Sequence, residues 1–235
     1  MIDTLDKTDS ELQNDVLSEL SYEPSVTVTE IGALVKDGTV TLNGYTTSYI
    51  EKWAAVNAVK RINGVKAIID EIEVNIPDEY YRTDADIAAA VVNGIDWSTT
   101  IPFETIEVIV DEGWVSLVGE VEWWYQQNAA VNLVQQMLGV KGVSNQISVK
   151  PKAMKMAIRQ SQRYAIEQDI KLALKRSAIV DVDRIQVESE NNKVVLRGDV
   201  RSFAARDEAE RIAWSEPGVS SVDNHLGVNW SSIVE

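Results

Sequence analysis

The chain holds 37 Asp and Glu, 22 Lys and Arg, one histidine and no cysteine, which narrows its chemistry at once. Without cysteine there is no disulfide framework, no thiolate metal site and no thiol nucleophile. The single histidine, His225, needs a positioned carboxylate, nucleophile or second ligand to act in catalysis or metal binding. It takes the outward register of a strand, as Glu71 and Gln146 do at the equivalent positions, and no such partner recurs at a matching position, so it reads as a surface histidine. The acidic pairs Asp70-Glu71, Asp111-Glu112 and Glu120-x-Glu122 carry oxygen ligands that suit a hard cation, but not the spacing of a calcium loop. They read as solvated carboxylates. No glycine-rich loop ends in Lys-Ser/Thr ahead of a helix, so the glycines do not form a phosphate cradle and are expected to serve turns and helix ends. No catalytic residue, metal ligand or cofactor is assigned, and the chain is expected not to be an enzyme.

What the glycines do mark is a repeat. Gly44, Gly119 and Gly198 are each followed twenty residues on by Gly64, Gly139 and Gly218, and ten further by Val74, Val149 and Val228. The copies recur at intervals of 75 and 79 residues, which makes one small module the folding unit, repeated three times. We place the modules at 8–77, 83–151 and 152–231. Units of this size hold a modest core each.

The copies agree in register. Leu12, Val16 and Leu20 match Ile87, Val91 and Ile95, then Ile166, Ile170 and Leu174, at helical spacing. Thr8-Asp9-Ser10-Glu11 and Thr83-Asp84-Ala85-Asp86 carry the capping and acidic residues of a helix start. Alternating apolar residues follow at Ile31, Ala33 and Val35, at Ile106, Val108 and Val110, and at Ile185, Val187 and Ser189. Asp37-Gly38, Glu112-Gly113 and Asn191-Asn192 then suit tight hairpins, with return strands at Val40-x-Leu42, Val115-x-Leu117 and Val194-x-Leu196. A second helix buries Ala55, Ala58, Val59 and Ile62, matched by Ala130, Leu133, Val134 and Met137; the third copy gives Ala209, Ile212 and Ala213 and departs at Glu216. The second set of glycines is expected to end these helices on a left-handed residue. A last strand alternates through Ile72, Ile147 and Leu226. The fold class is α+β: three tandem αββαβ modules, each a three-stranded mixed sheet with two helices on one face and the other face open.

Charge is uneven. Residues 1–149 hold 8 Lys and Arg against 24 Asp and Glu, while 150–235 hold 14 against 13. Nucleic acid needs a cationic surface, so it is excluded as a partner of the first two modules. The start, Met1-Ile-Asp-Thr-Leu-Asp-Lys, has neither the basic nor the apolar region of a signal peptide, and no stretch has the apolar length of a membrane span. A cytoplasmic location is expected, periplasmic if a leader has been removed.

The third copy runs Val195-Leu-Arg-Gly198-Asp-Val-Arg-Ser202, then Arg206, Ala209, Ala213, and Pro217-Gly218-Val219 through Val222, Asn224, Leu226 and Val228. It resembles the BON domain family in its OsmY-like form, and the first two copies keep its outline at Gly64-Val65, Ile68, Ile72 and Val74, and at Gly139-Val140, Val143, Asn145, Ile147 and Val149. The resemblance implies envelope or stress-associated binding with membrane phospholipid as the proposed ligand class, and family members also occur in ion-binding and chaperone-like settings. Two departures stand out: Asp70 replaces the asparagine of Asn145 and Asn224, and the position of Arg206 is Lys52 and Gln127 in the other copies.

The copies also separate core aromatics from the rest. Tyr49, Trp124 and Phe203 share one position, a packed entrance to the second helix. Trp123 instead replaces Ser48 and Ser202, Trp53 aligns with Asn128 and Asp207, and Tyr125 with Ile50 and Ala204. Trp114 replaces Thr39 and Lys193 on the outward side of a strand, near Ile109 and Val118. These six apolar residues are not demanded by the fold, and form either an inter-module interface or a surface for a partner or another copy of the chain. The segment from Lys150 to Arg176 holds eight basic residues against Glu167 and Asp169. Its basic helix, with Lys152, Lys155, Arg159 and Arg163, either docks on the acidic modules or lies on an anionic phospholipid surface.

Overall fold

A computed structural model describes residues 7–150, 160–190 and 192–229. The first module comprises α1 (Asp9–Ser21), β1 (Ile31–Lys36), β2 (Thr39–Thr46), α2 (Tyr49–Lys60) and β3 (Ala67–Val74). The second repeats this as α3 (Asp84–Asp96), β4 (Ile106–Asp111), β5 (Trp114–Val121), α4 (Trp124–Gln135) and β6 (Gly142–Val149). The third follows with α5 (Gln160–Arg176), β7 (Ile185–Glu190), β8 (Lys193–Val200), α6 (Phe203–Trp214) and β9 (Ser221–Val228). The αββαβ order read from the sequence is the order observed.

Each module is a three-stranded sheet with its second strand in the middle. The first two strands are antiparallel, with Ile31 opposite Gly44, Ile106 opposite Gly119 and Ile185 opposite Gly198. The third strand is parallel to the second in modules two and three. In module one the amide of Lys66 donates to Gly38 and that of Asn75 to Thr46, which runs the two strands the same way.

Local chemistry sets the elements. α1 and α3 start on capping boxes: the Thr8 and Thr83 hydroxyls accept the amides of Glu11 and Asp86, whose carboxylates accept the Thr8 and Thr83 amides in return. The hairpin turns have positive φ at both Asp37 and Gly38 and at both Glu112 and Gly113. They are tied to the helix starts by a contact that spacing alone did not reveal. Asp9 accepts the amides of Asp37 and Gly38 at 2.8 and 3.0 Å, and Asp84 accepts those of Glu112 and Gly113, both at 2.9 Å. These two acids do more than complement a helix dipole; each clamps a turn 28 residues away in sequence.

The helical stripes and alternating strand positions meet in the core as expected. In module two Ile87, Val91, Ile95, Val115, Leu117, Ala130, Val134 and Ile147 form one buried cluster. Module three repeats it with Ile166, Ile170, Leu174, Val194, Leu196, Ala209, Ala213 and Leu226.

The repeat glycines need a correction. Gly44, Gly119 and Gly198 lie inside β2, β5 and β8 with φ of 114°, 150° and 118°, not at a turn or a helix end. The carbonyl oxygen of the residue before the first strand (Glu30, Thr105 or Arg184) occupies the space a Cβ would fill. Close backbone approach is what requires glycine there. Gly64, Gly139 and Gly218 do have positive φ, but they lie in the turn beyond the helix; the caps of α4 and α6 are Gln136 and Ser215.

By contacts the chain divides into two compact units. Met1–Gly44, Ala54–Glu71 and Met154–Glu235 form one, and Tyr45–Trp53 with Ile72–Ala153 form the other. The start of α2 thus groups with module two, and Tyr49 packs against that module's core. Tyr49 is more than the entrance to its own helix.

Candidate interaction surface

Strand register decides which expected residues come together. On the open face of module two, Trp114 lies between Asp111 and Gly142, Ser116 between Ile109 and Ser144, and Val118 between Glu107 and Gln146. Trp114, Ile109 and Val118 therefore share one face, with Trp114 55% and Ile109 50% exposed and Val118 half-buried. The indole has a seat. A Cβ on Gly142 would overlap its six-membered ring, so the ring lies across a strand position that has no side chain.

The same face differs in the sister modules. Module one shows exposed Leu34, Tyr45 and Ile69. In module three the positions of Trp114, Ile109 and Val118 are Lys193, Glu188 and Arg197, and the charges pair locally: Lys193 with Asp223 at 2.5 Å and Arg197 with Glu188 at 3.7 Å. The Lys193 hydrogen bond holds the Asp223 carboxyl below its ordinary value, with the His225 and Arg197 charges adding to it. His225 is exposed on this face, lining a shallow cleft of about 480 Å³ with Glu190, Lys193, Val195, Arg197 and Asp223.

Trp123 and Tyr125 lie elsewhere. They follow the far end of β5, seven or more residues from Trp114, roughly 23 Å along a strand. Trp53 is on α2, in the part of module one that groups with module two. The six residues do not make one continuous surface. Trp123 stands at the N-cap of α4 and is 41% exposed. Ser48 and Ser202 at that position accept the amides of Glu51 and Ala205; an indole has no oxygen to accept with. Gln126 still accepts the amides of Glu122 and Trp123, as Glu51 accepts that of Thr47, so only half of the cap survives. Among the described residues the most exposed large apolar side chain was not singled out by sequence: Trp97, 87% exposed at the C-cap of α3, with Tyr22 at the matching place after α1. Both fall two residues past the buried helical stripe, the signal that marks them as outward. Of the basic residues, Lys152, Lys155 and Arg159 lie outside the described residues, and Arg163 lies on the backbone of α5.

One departure from the family pattern resolves into a shared role. Lys52 donates to the Ile72 carbonyl at 2.7 Å, Gln127 to the Ile147 carbonyl and Arg206 to the Asn224 carbonyl at 3.3 Å. Three residue types at one position each hold the third strand to the second helix. Asn145 and Asn224 accept the amides of Ile147 and Leu226 within that strand, and Asn224 also donates to the Arg206 carbonyl. Among the described residues no group of three or more His, Asp or Glu is placed to hold a metal ion, and no helix is long and apolar enough to cross a membrane.

Three copies of one α+β module, each a three-stranded sheet with its second strand in the middle, define a tandem array of small domains. The sequence model of the BON domain matches residues 8–76, 83–151 and 164–229, and the chain belongs to the BON domain family. It is 32% identical over 146 residues to the osmotically-inducible protein Y of Escherichia coli (strain K12), across 62% of this chain and 73% of that protein. Among solved structures it aligns with the C-terminal domain of CdsD, the structural protein of the type III secretion system of Chlamydia trachomatis. That alignment has 14% identity and a TM-score of 0.24, over 94% of this chain and 98% of that one. A second CdsD structure gives 15% and 0.24, over 92% and 90%. At that TM-score neither bears on fold or function.

Proposed function

We propose that this chain is a non-catalytic, stress-associated binding protein that engages a protein partner through the open faces of its sheets. The association with stress rests on its likeness to an osmotically inducible relative. The observation that carries the partner reading is the exposed apolar set Leu34, Ile69, Ile109 and Trp114, on sheet faces whose counterparts in module three are charged and mutually paired. The fold itself is satisfied by either kind of face, so the apolar one is retained for something outside the core.

A second reading, adsorption to a phospholipid surface, is favoured by the basic run from Lys150 to Arg176 together with the ligand class that the family resemblance implies. Flotation of the full chain with anionic and with neutral vesicles separates the two. The partner reading expects the chain to stay in the dense fraction with both. Co-flotation with anionic vesicles that is lost in high salt would establish the lipid reading in its place.

A further inference from the structure

Building on the protein-partner reading, we infer that the open face of module two is the seat for a cationic amphipathic segment of a partner protein. Apolar side chains of that segment cover Trp114, Ile109 and Val118, and its Lys or Arg side chains reach the acids around them. The rim is acidic and under-neutralised. Glu107, Asp111 and Glu112 are exposed beside the stripe, and none of them makes an ion pair among the described residues. Only Glu120, further along the same face, is matched, by Lys150. From 83 to 149 the sequence has Lys141 alone against nine acids.

Other occupants fit less well. A second copy would set acid against acid on this face, and like charges brought together oppose association. The exposed parts of Trp114 and Ile109 amount to on the order of 200 Å², against about 800 Å² per partner for a stable complex of folded proteins. That area suits a single strand or one turn of helix. An anionic bilayer is repelled by the same acids.

The ring is also held ready. Gly142 is Ala67 in module one and Ser221 in module three, so the one copy with tryptophan on the second strand is also the one with glycine beneath it. Gly142 does not have positive φ, so its backbone does not demand glycine. The missing side chain serves the ring, and a platform ordered before binding loses less freedom on binding.

Calorimetric titration of the full chain with a short peptide alternating leucine and lysine, and with its leucine–glutamate counterpart, tests this at low and high salt. The lysine peptide should bind, more weakly as salt screens the acids, and the glutamate peptide should not. Replacing the face by that of module three (Ile109→Glu, Trp114→Lys, Val118→Arg) should lower affinity about tenfold or more. Gly142→Ala should also weaken binding, by unseating the ring, while leaving the melting temperature near that of the parent. Equal binding of both peptides would overturn the cationic occupant and leave the partner reading standing. Undiminished binding by the triple variant, or no binding of either peptide, would remove this face as the seat, and co-flotation with anionic vesicles would remove the partner reading itself.

Discussion

Gly198 and Gly218 offer a controlled test of why this fold repeats its glycines. Both have positive φ, 118° and 97°. At Gly218 an added methyl group would meet nothing nearer than the Asn192 amide nitrogen at 3.7 Å. Gly218→Ala therefore costs only the backbone preference of an L-residue, about 1–2 kcal/mol. At Gly198 the methyl would overlap the Arg184 carbonyl oxygen and stand 3.1 Å from its carbon and 3.4 Å from the Ile185 Cα. These are backbone atoms and cannot swing aside. Relief requires β7 and β8 to part at the Ile185–Gly198 pair, where the register begins. Overpacking of this kind adds about 1–3 kcal/mol to the backbone preference of about 1–2 kcal/mol, for a total of roughly 2–5 kcal/mol. A domain of this size has about 3–10 kcal/mol in all, so Gly198→Ala should leave module three barely folded and Gly218→Ala should not. Hydrogen exchange of peptides spanning β7 and β8, in the full chain, reads the two variants side by side. Equal loss of protection in both would refute the steric argument and leave φ alone as the reason for glycine.

Three further outcomes follow from single contacts. Trp123→Ser should be more stable than Trp123→Ala by about 1 kcal/mol, since both lose the ring and only serine restores the cap; equal urea midpoints would show that α4 does not use this position. Gln127→Leu should cost about 1 kcal/mol by leaving the Ile147 carbonyl without its donor, whereas Gln127→Lys, the residue type of module one, should stay within about 0.5 kcal/mol in the same assay. The Asp9 carboxyl is held below its ordinary value by the Gly38 amide first and the Asp37 amide second. Its folded-state value therefore lies below the unfolded value of about 3.9, so its contribution is full above that pH and fades as pH falls through the folded value. Exchange protection of the Asp37 and Gly38 amides should drop along that acid limb, and Asp9→Asn should flatten it.

The core of each module was legible because it obeys a period. Apolar residues must recur at 3.6 in a helix and at 2 in a half-buried strand, and three copies in register left little room for another reading of Leu12, Val16 and Leu20 or of Val115 and Leu117. What escaped the sequence are contacts between distant elements with no period of their own. Asp9 looked like a first-turn acid because its second role depends on a hairpin 28 residues on. Lys52 and Gln127 looked like departures from Arg206, although all three reach a carbonyl of the third strand, a task that asks for a long donor and not for a particular residue. Gly44 and its equivalents looked like punctuation because a spacing rule cannot reveal an opposing carbonyl.

The open faces sit between these cases. Trp114 was conspicuous in sequence because its sister residues are Thr39 and Lys193, but its partner in the structure, Gly142, was not, since that pairing exists only once β6 lies beside β5 in the observed register. Trp123 was conspicuous for the same reason, while the stability it forgoes became visible only when Ser48 and Ser202 were seen capping α2 and α6. Both tryptophans replace residues that serve the fold adequately in the other copies. One has acquired a seat and the other has displaced a cap. Neither change improves the module as a folding unit, and these local exchanges, made in one copy of three, support the proposed partner surface more than does the family to which all three belong.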